Sequence, residues 1–256
     1  MLRHLDLFSG IGGFALAAHW TGGIKTTQFV EIDPYCQQIL SKNFPETPIH
    51  GDITTFTAQP NSWDIATVSF PCQDLSEANS QGKGLDGERS GLWFEAHRIV
   101  QEALPTYVVI ENVPSTTQRN WLRTVLEGLD ALGYDAEWSL ISAKDLGARH
   151  LRRRHWVIAY PSSLRFEEAD SEAQKFSENA LEQAEARRQE NGEHTITMGG
   201  RARRIPIART LRSADGIPTG LDKSRVKALG NAVVPQVAMI PLLRVLHIQS
   251  WTKQRC

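Results

Sequence analysis

The stretch "DLFSGIGGFALAA" (residues 6–18) decides the fold class, because an apolar, strand-like run ends in a glycine-rich turn that opens a helix. Glycines in such a turn let a ligand approach the backbone closely, and the helix N-terminus offers free N–H groups. The turn lacks the Gly-Lys-Ser/Thr ending of a phosphate-binding loop, and its G-x-G-G spacing departs from the G-x-G-x-x-G of dinucleotide sites. Taken alone, it fits a plain tight turn nearly as well as a ligand site.

Strand-like and helix-like segments alternate through the first 160 residues. The strand-like runs are "LRHLDLF", "TTQFVEID", "WDIATVSF", "TYVVIENV" and "HWVIAY", and the helix-like runs are "FALAAHW", "PYCQQILSKNF" and "NWLRTVLEGLDALGY". We expect Asp33 to cap the second helix, Pro34 to lie in its first turn and Gly133 to stop the third. The alternation predicts an α/β fold with a doubly wound, mostly parallel sheet, in which ligands bind at the carboxyl ends of the strands.

The composition is that of a soluble globular protein, with 41% hydrophobic and 22% charged residues. No apolar run approaches the length of a membrane span, and the first residues lack the long apolar stretch of a signal peptide. The three cysteines, Cys36, Cys72 and Cys256, have no paired spacing, so neither disulfides nor a zinc site is predicted. We therefore expect a cytoplasmic protein without a membrane partner or a metal.

Charge is unevenly placed in the last hundred residues. Residues 161–200 carry nine acidic and four basic side chains, a balance of −5, whereas residues 201–256 carry eleven basic and two acidic ones, a balance of +9. The basic excess fits a polyanionic partner and, equally well, a solvated charged face. Residues 167–194 are polar without a regular apolar stripe, which predicts a surface helix, a linker or disorder.

Two acidic residues stand at or near the ends of early strand-like runs. Glu31 follows the glycine turn by about twenty residues, where a carboxylate can accept both ribose hydroxyls of a nucleoside-containing cofactor. It also fits a helix N-terminal acid that interacts with the macrodipole. Asp52 in "IHGDI" could contact an adenine amino group or serve as a turn residue. The glycine turn and these two acids in this order predict an adenosine cofactor without phosphates, and S-adenosylmethionine is the obvious one.

Four reactive or charged side chains lie in or beside the later strand-like runs: Cys72, Glu111, Arg152 and Arg154. A lone cysteine is more often a small buried hydrophobe than a nucleophile. A strand-end carboxyl such as Glu111 could donate a proton if an apolar site raised its pKa, or be an ordinary loop acid. Arginines two apart on a strand point to one face, where they could hold a carbonyl oxygen or phosphates, or form an exposed basic edge.

The sequence resembles the C5-cytosine DNA methyltransferases of the bacterial and phage type. The resemblance runs through ordered blocks that cover both ends and most of the first 160 residues: "DLFSGIGGF", "EIDPYC", "GDI", "PCQDLS", "GLWFE", "ENV", "RHLRRRHW" and "ALGNAVVPQVA". The order of "PCQ", "ENV" and "GNAV" is highly specific. Each partner block is unexplained if Cys72 is only a core cysteine, so Cys72 is identified as the nucleophile.

The resemblance implies transfer of a methyl group from S-adenosylmethionine to C5 of a cytosine in double-stranded DNA. Cys72 adds as a thiolate to C6 of a cytosine that is flipped out of the duplex. Glu111 protonates or hydrogen-bonds N3 and binds the exocyclic amine. Arg154, and with it Arg152, holds O2.

Cofactor contacts implied by the resemblance fall in the matching blocks at both ends of the chain: Phe8, Gly10, Gly12, Glu31, Asp52, Asn231 and Val233. The implied organisation is a catalytic domain over residues 1–160, a reduced and partly mobile target-recognition segment over 161–218, and a C-terminal segment, 219–256, that returns to the catalytic domain. A monomer is expected. The setting implied is restriction and modification of DNA.

Two departures from the family pattern bear on specificity and substrate. The usual Gln-x-Arg-x-Arg is His150-Leu151-Arg152-Arg153-Arg154 here, and the segment that normally determines the DNA sequence is short and partly acidic. A tRNA cytosine-5 methyltransferase shares the base pocket and stays an alternative, although "PCQ" favours the DNA enzymes. A catalytically silent DNA-binding homologue is the other alternative, and the presence of every catalytic residue weighs against it.

Overall fold

The computed structural model describes residues 1–71, 91–114, 119–146, 148, 151–164, 195–198, 201–204 and 223–255. Strands in these residues are β1 (Leu2–Leu7), β2 (Ile24–Val30), β3 (Ile49–His50), β4 (Ile65–Val68), β5 (Tyr107–Asn112), β6 (Tyr134–Ser142), β7 (Arg153–Pro161), β8 (Thr195–Met198) and β9 (Arg201–Arg204). The α-helices are α1 (Gly13–Thr21), α2 (Pro34–Asn43), α3 (Gly91–Ala103), α4 (Arg119–Ala131), α5 (Lys223–Asn231) and α6 (Pro235–Arg255).

Seven of these strands form one sheet in the order β3-β2-β1-β4-β5-β7-β6. Strands β1 to β5 pair in parallel, whereas β7 runs antiparallel to both β5 and β6. The order reverses direction at β1, so the carboxyl ends of β1 and β4 flank the switch point where ligands bind in open α/β sheets. Strands β8 and β9 form a separate antiparallel pair. The predicted doubly wound, mostly parallel sheet is confirmed.

The central strands are buried on both sides, which is why they are continuous apolar runs rather than alternating ones. Every residue of β4 and of β5 is buried. One face of the sheet packs against apolar side chains of α1 and α6, and the other against those of α3 and α4. Helix α2 packs through Leu40 against Phe29 of β2 and Ala15 of α1. Both layers therefore hold the strand ends, and the loops that follow them, in place.

A buried polar chain crosses the middle of the sheet beneath the glycine turn. His4 has no exposed surface, and its ring nitrogens lie 2.8 Å from the Thr26 hydroxyl and 2.7 Å from the Thr67 hydroxyl. Thr67 donates in turn to Asp6 at 2.7 Å. Burial lowers the pKa of His4 to about 3 and raises that of Asp6 well above its ordinary value. The histidine is therefore neutral, with Nε2 donating to Thr67 and Nδ1 accepting from Thr26.

The predicted helix boundaries are confirmed where capping residues set them. Asp33 caps α2 by accepting hydrogen bonds from the backbone N–H groups of Tyr35 and Cys36, and Pro34 is the first helical residue. Helix α4 ends at Ala131, and Gly133 follows it with a φ of +82°.

Several elements were absent from the sequence prediction: α3, α5, β6, β8 and β9. Helix α3 had a visible signal, since its buried side chains recur at helical spacing: Trp93, Ala96, Ile99, Val100 and Ala103. Strand β6 was masked by exposed side chains on an edge strand, including Trp138 and Leu140. The antiparallel direction of β7 is set by its pairing with β5, which no local pattern encodes.

The C-terminal helix returns to the sheet. Val237, Leu242 and Val245 of α6 are buried in the cluster that contains Phe14 of α1 and Trp156 of β7. Contrary to the expectation from sequence, residues Lys227–Lys253, which include the end of α5 and most of α6, are long and apolar enough, by length and composition, to cross a membrane. The buried contacts of α6 with α1 and the sheet are those of a core helix.

Several predicted features lie outside the described residues: the nucleophile Cys72, the loop "QDLSEANSQGKGLDGERS" after it, and His150. The acidic stretch 167–194 is also outside them. The division into domains 1–160, 161–218 and 219–256 stays a prediction.

Candidate active site

Several of the site residues predicted from sequence that the structure describes lie at the carboxyl edge of the sheet. The glycine turn follows β1, Glu31 follows β2, and Ser69 follows β4. Glu111 is the penultimate residue of β5. Because parallel strands end at the same edge, these groups share one side of the molecule. We name the residues around the glycine turn and Glu31 the donor half, and those around Glu111 the base half, after the roles proposed for them below.

The glycine turn has a strained backbone with one open position. Phe8 and Gly10 have φ values of +56° and +54°, and a non-glycine residue in this region is uncommon outside functional sites. A Cβ atom built on Gly10 would meet no atom within 4 Å, so a ligand can approach the backbone there. Gly12 is the N-cap of α1 and has no side-chain cap. The N–H groups at the start of α1 therefore point out of the turn without a capping side chain.

Glu31 joins the glycine turn to the start of α2. Its Oε2 accepts the Gly10 N–H at 2.7 Å, and its Oε1 accepts the Asp33 N–H at 2.8 Å. The residue is buried, and this burial raises the pKa of Glu31, whereas the two backbone donors lower it. A carboxylate oxygen has two lone pairs, so each oxygen can accept a further donor such as a hydroxyl.

Asp52 lies in the turn after β3. Its Oδ1 accepts hydrogen bonds from the Thr54 N–H at 2.9 Å and the Thr54 hydroxyl at 2.8 Å. These bonds lower the pKa of Asp52 below its ordinary value. Both of them end on Oδ1, which leaves Oδ2 for a ligand as far as the described residues go. The turn-residue interpretation and the ligand interpretation are therefore compatible.

Glu111 is the centre of the base half. It is 5% exposed, and its Oε2 accepts the Ser69 hydroxyl at 2.7 Å. Its Oε1 lies 2.8 Å from Nε of Arg154. Burial raises the pKa of Glu111, opposed by the Ser69 hydrogen bond and by the charges of Arg154 and Arg152. A raised pKa favours the protonated form of this carboxyl, which can donate a proton or a hydrogen bond.

The two predicted arginines have different partners. Arg154, in β7, forms an ion pair with Glu111, and its predicted contact with O2 of the base stays a prediction. Arg152 precedes the strand with a φ of +23°, so the expected i, i+2 spacing on a strand does not apply to it. Its Nη1 donates to the Gly230 carbonyl at 3.0 Å and its Nη2 to the Ala232 carbonyl at 2.6 Å. Arg152 thus connects the chain directly before β7 to the "GNAVV" segment by two hydrogen bonds.

The "GNAVV" segment packs against the start of α1. A Cβ atom on Gly13 would lie 2.5 Å from the Val233 carbonyl oxygen, so only glycine allows this approach. The Val233 side chain is buried in the core, and Asn231 is exposed at the end of α5. Any contact that Val233 makes with a cofactor would therefore involve its backbone.

The strand end that precedes Cys72 is held by an aromatic cluster that sequence reasoning missed. Phe70 is buried, and its ring centroid lies 5.8 Å from that of Trp93 and 6.2 Å from that of Trp121. The Asn112 amide donates to the Phe70 carbonyl at 3.4 Å. Ser69 stands at the end of the strand-like run "WDIATVSF", directly before the block "PCQDLS", and Asn112 stands inside the block "ENV"; these positions are the signal that could have found them.

Cys36, in α2, is a different kind of cysteine. It is buried and burial raises the pKa of its thiol to about 12, so the thiol is inert.

The strand order and the glutamates at the strand ends define a doubly wound fold of the S-adenosylmethionine-dependent methyltransferase type. The sequence profile described as C-5 cytosine-specific DNA methylase matches residues 2–202. The chain belongs to that family.

Individual relatives agree with this assignment. The chain is 37% identical over 172 residues to "Type II methyltransferase M2.BsuMI" of Bacillus subtilis (63% of this chain, 42% of that protein). It is 35% identical over 167 residues to "Type II methyltransferase M.HhaI" of Haemophilus parahaemolyticus (64% of this chain, 50% of that protein). Among solved structures, S. pombe Dnmt2 methyltransferase superimposes with a TM-score of 0.65 at 17% identity, over 96% of this chain and 99% of that one. The chain spans half or less of the length of these two curated relatives.

Proposed function

We propose that the chain is a DNA (cytosine-5)-methyltransferase that takes its methyl group from S-adenosylmethionine. The observation that carries the proposal is the buried Glu111, bonded to Ser69 and Arg154 at the end of β5. It stands at the same sheet edge as the glycine turn and Glu31. A family member with a donor half and a base half at one edge has the parts that this reaction needs.

The donor half fits S-adenosylmethionine by the chemistry of its groups. Glu31 has free lone pairs for the ribose hydroxyls, and Gly10 leaves the backbone open to close approach. Asp52 has Oδ2 available for the adenine amino group. When bound there, S-adenosylmethionine supplies an electrophilic methyl group. Phe8, Gly12, Asn231 and Val233 complete the proposed set of contacts, Val233 through its backbone.

The base half supplies the activation that cytosine requires. The Cys72 thiolate adds to C6 and forms a C–S bond, which makes C5 nucleophilic enough to take the methyl group. A base then removes the C5 proton, the C5–C6 double bond re-forms and Cys72 leaves as a thiolate. A free cysteine with a pKa of about 8.5 is only a few percent ionised at pH 7, so positively charged neighbours would favour the thiolate of Cys72.

Glu111 and Arg154 stabilise the adduct at neighbouring polar atoms on one edge of the base. Glu111, with its pKa raised by burial, donates a proton or hydrogen bond to N3 and accepts one from the exocyclic amine. Arg154 directs its guanidinium to O2. The base must leave the helical stack to reach them. A type II restriction-modification setting is proposed from the relatives' names.

Methyl transfer from labelled S-adenosylmethionine tests the function directly. Duplex DNA should become labelled and tRNA should not; the reverse result would make the chain a tRNA methyltransferase. Cys72→Ser should abolish transfer and leave S-adenosylmethionine affinity unchanged. Duplex DNA that carries 5-fluorocytosine should form a covalent complex, because fluorine cannot leave as a proton does. A denaturing gel without a shifted band, under conditions in which normal DNA is methylated, would contradict the covalent step.

A further inference from the structure

Arg98 of α3 is bonded to the turn that carries Asp52. One guanidinium nitrogen, Nη2, donates to the Ile53 carbonyl at 2.9 Å and to the Phe56 carbonyl at 3.0 Å. The other nitrogens are held by the helix itself: Nε donates to Glu95 at 2.9 Å and Nη1 to Glu102 at 2.7 Å. The planar fork of the guanidinium is thus fixed by two carboxylates and directed at two backbone carbonyls.

The same helix holds the turn at a second point. Glu102 uses one oxygen for Arg98 and the other, Oε2, to accept the Ala58 N–H at 3.0 Å. The turn itself is closed by backbone hydrogen bonds from Thr55 and Phe56 to the Asp52 carbonyl. Arg98 and Glu102 therefore bond the backbone of residues 53–58, whereas the partner of the Asp52 carboxylate is Thr54.

Packing alone does not explain these bonds. Helix α3 is anchored by Trp93, Ala96 and Ile99, which are buried in the core. The turn is anchored by Ile53 and Phe56, which are buried in the same cluster. Apolar contacts of this kind keep the two elements together but do not direct a carboxylate, because they are non-directional. The bonds from Arg98 to the Ile53 and Phe56 carbonyls, one at each end of this turn, set its orientation.

We propose that Arg98 is a positioning residue for the methyl donor: it holds the Asp52–Phe56 turn so that the Asp52 carboxylate faces the adenine amino group. The inference rests on the proposed function, in which Asp52 contacts adenine. Arg98 itself touches neither donor nor base. Its loss should therefore weaken donor binding through the adenine and leave the methyl-transfer step and DNA binding unchanged.

The test compares Arg98→Met with Arg123→Met. Arg123 forms an exposed i, i+4 ion pair with Glu127 on the neighbouring helix α4, without a carbonyl among the partners that the structure gives it, and serves as the matched control. Calorimetry should show about tenfold weaker binding of S-adenosylhomocysteine to Arg98→Met, the loss expected for one charged hydrogen-bonding partner. Arg123→Met should bind as the wild type does. Arg98→Lys, which keeps the charge but not the fork, should lie between wild type and Arg98→Met.

A nucleobase-altered ligand separates positioning from general destabilisation. S-inosylhomocysteine has an oxygen in place of the adenine amino group, so the wild type should prefer S-adenosylhomocysteine. Arg98→Met and Asp52→Ala should each lose that preference, and the double variant should lose no more than either alone. Midpoints of thermal unfolding, measured for every variant, show whether each one is folded.

Each outcome bears on one of the two proposals. If Arg98→Met is folded and keeps the preference for adenine, or if its effect adds to that of Asp52→Ala, the positioning role is wrong while the proposed function stands. If Asp52→Ala keeps the preference, the role assigned to Arg98 is wrong as well. If the wild type binds neither ligand, the donor assignment in the proposed function fails.

Discussion

Two buried glutamates at one edge of the sheet are held in different ways. Glu31, in the donor half, accepts hydrogen bonds from the main-chain N–H groups of Gly10 and Asp33. Glu111, in the base half, is bonded to the side chains of Ser69 and Arg154. Burial raises the pKa of both. The two carboxyls thus share an environment and differ in the nature of their partners.

The difference corresponds to two kinds of task. Main-chain donors are fixed by the fold, so Glu31 is a preorganised acceptor that also keeps the glycine turn closed against α2. Side-chain donors can exchange partners, so Glu111 can release Ser69 or Arg154 when a base enters. A group that only has to hold a ligand in one position is best served by fixed main-chain partners, as at Glu31. A group whose protonation state matters in the reaction is best served by side-chain partners that can be exchanged, as at Glu111.

The largest effect is expected for Glu111→Gln. Glutamine keeps the size of the side chain but cannot supply the proton, and general acid catalysis contributes roughly 10²–10⁴-fold to rate. We expect kcat to fall by about that factor, with the affinity for S-adenosylmethionine unchanged, because the donor half is held by other groups. Single-turnover methylation and calorimetry measure the two quantities. A large loss of donor affinity would show that the two halves are not separable.

Substitutions of Arg154 and Arg152 should affect different steps, the first catalysis and the second donor binding. Arg154→Met removes the charged partner of Glu111 and should lower kcat, by about tenfold to a hundredfold if one charged hydrogen bond is lost. Arg152→Met removes the donors to Gly230 and Ala232 and should raise the dissociation constant of the donor, because the "GNAVV" segment packs against α1.

Arg153→Met, at the exposed position between the two, is the matched control. Surface substitutions away from special features usually change free energies by no more than about 0.5 kcal/mol, or roughly twofold. The comparison would be reversed if Arg152→Met lowered kcat alone, in which case Arg152 contacts the base as the sequence predicted.

Glu31→Ala should weaken S-adenosylmethionine binding by about tenfold to over a hundredfold, since losing a charged hydrogen-bond partner costs on the order of 1.5–3 kcal/mol. The loss of the acceptor also leaves the N–H groups of Gly10 and Asp33 without a partner. Calorimetry that shows unchanged affinity would refute the ribose assignment. Glu46→Ala, at an exposed acid beyond α2, controls for the change of net charge.

Most of the donor half could be predicted from sequence because its parts are local. The glycine turn, the Asp33 cap and the spacing to Glu31 are encoded within about thirty consecutive residues, and each one lies where it was expected. The base half depends on pairings between distant segments. The bond from Ser69 to Glu111 spans β4 and β5, and the pair between Glu111 and Arg154 needs the antiparallel return of β7.

The features that could not be predicted, the conformation of Arg152 and strand β6, depend on contacts between distant segments and not on local sequence patterns. No local pattern showed that Arg152 would precede the strand with a positive φ and turn to the segment near residue 230. The spacing of Arg152 and Arg154 suggested one shared face, and the backbone conformation overrode it. Edge strand β6 was missed because its exposed side chains break the buried pattern that marks the central strands.

The smallest effect is expected for Ser69→Ala, and it would appear in the pH dependence. The Ser69 hydroxyl donates to Glu111 and so favours the carboxylate over the acid. Without it the pKa of Glu111 rises further, and because Glu111 acts while protonated, the alkaline limb of kcat/KM should move to higher pH. The rate at neutral pH should change by less than about tenfold, as expected for one hydrogen bond of 0.5–1.5 kcal/mol. Ser162→Ala, whose hydroxyl donates to the Gly133 carbonyl at an exposed position, is the control and should leave the profile in place. A limb that moves to lower pH in Ser69→Ala would mean that Glu111 acts as a carboxylate, and the contrast with Glu31 would then lie in its partners alone.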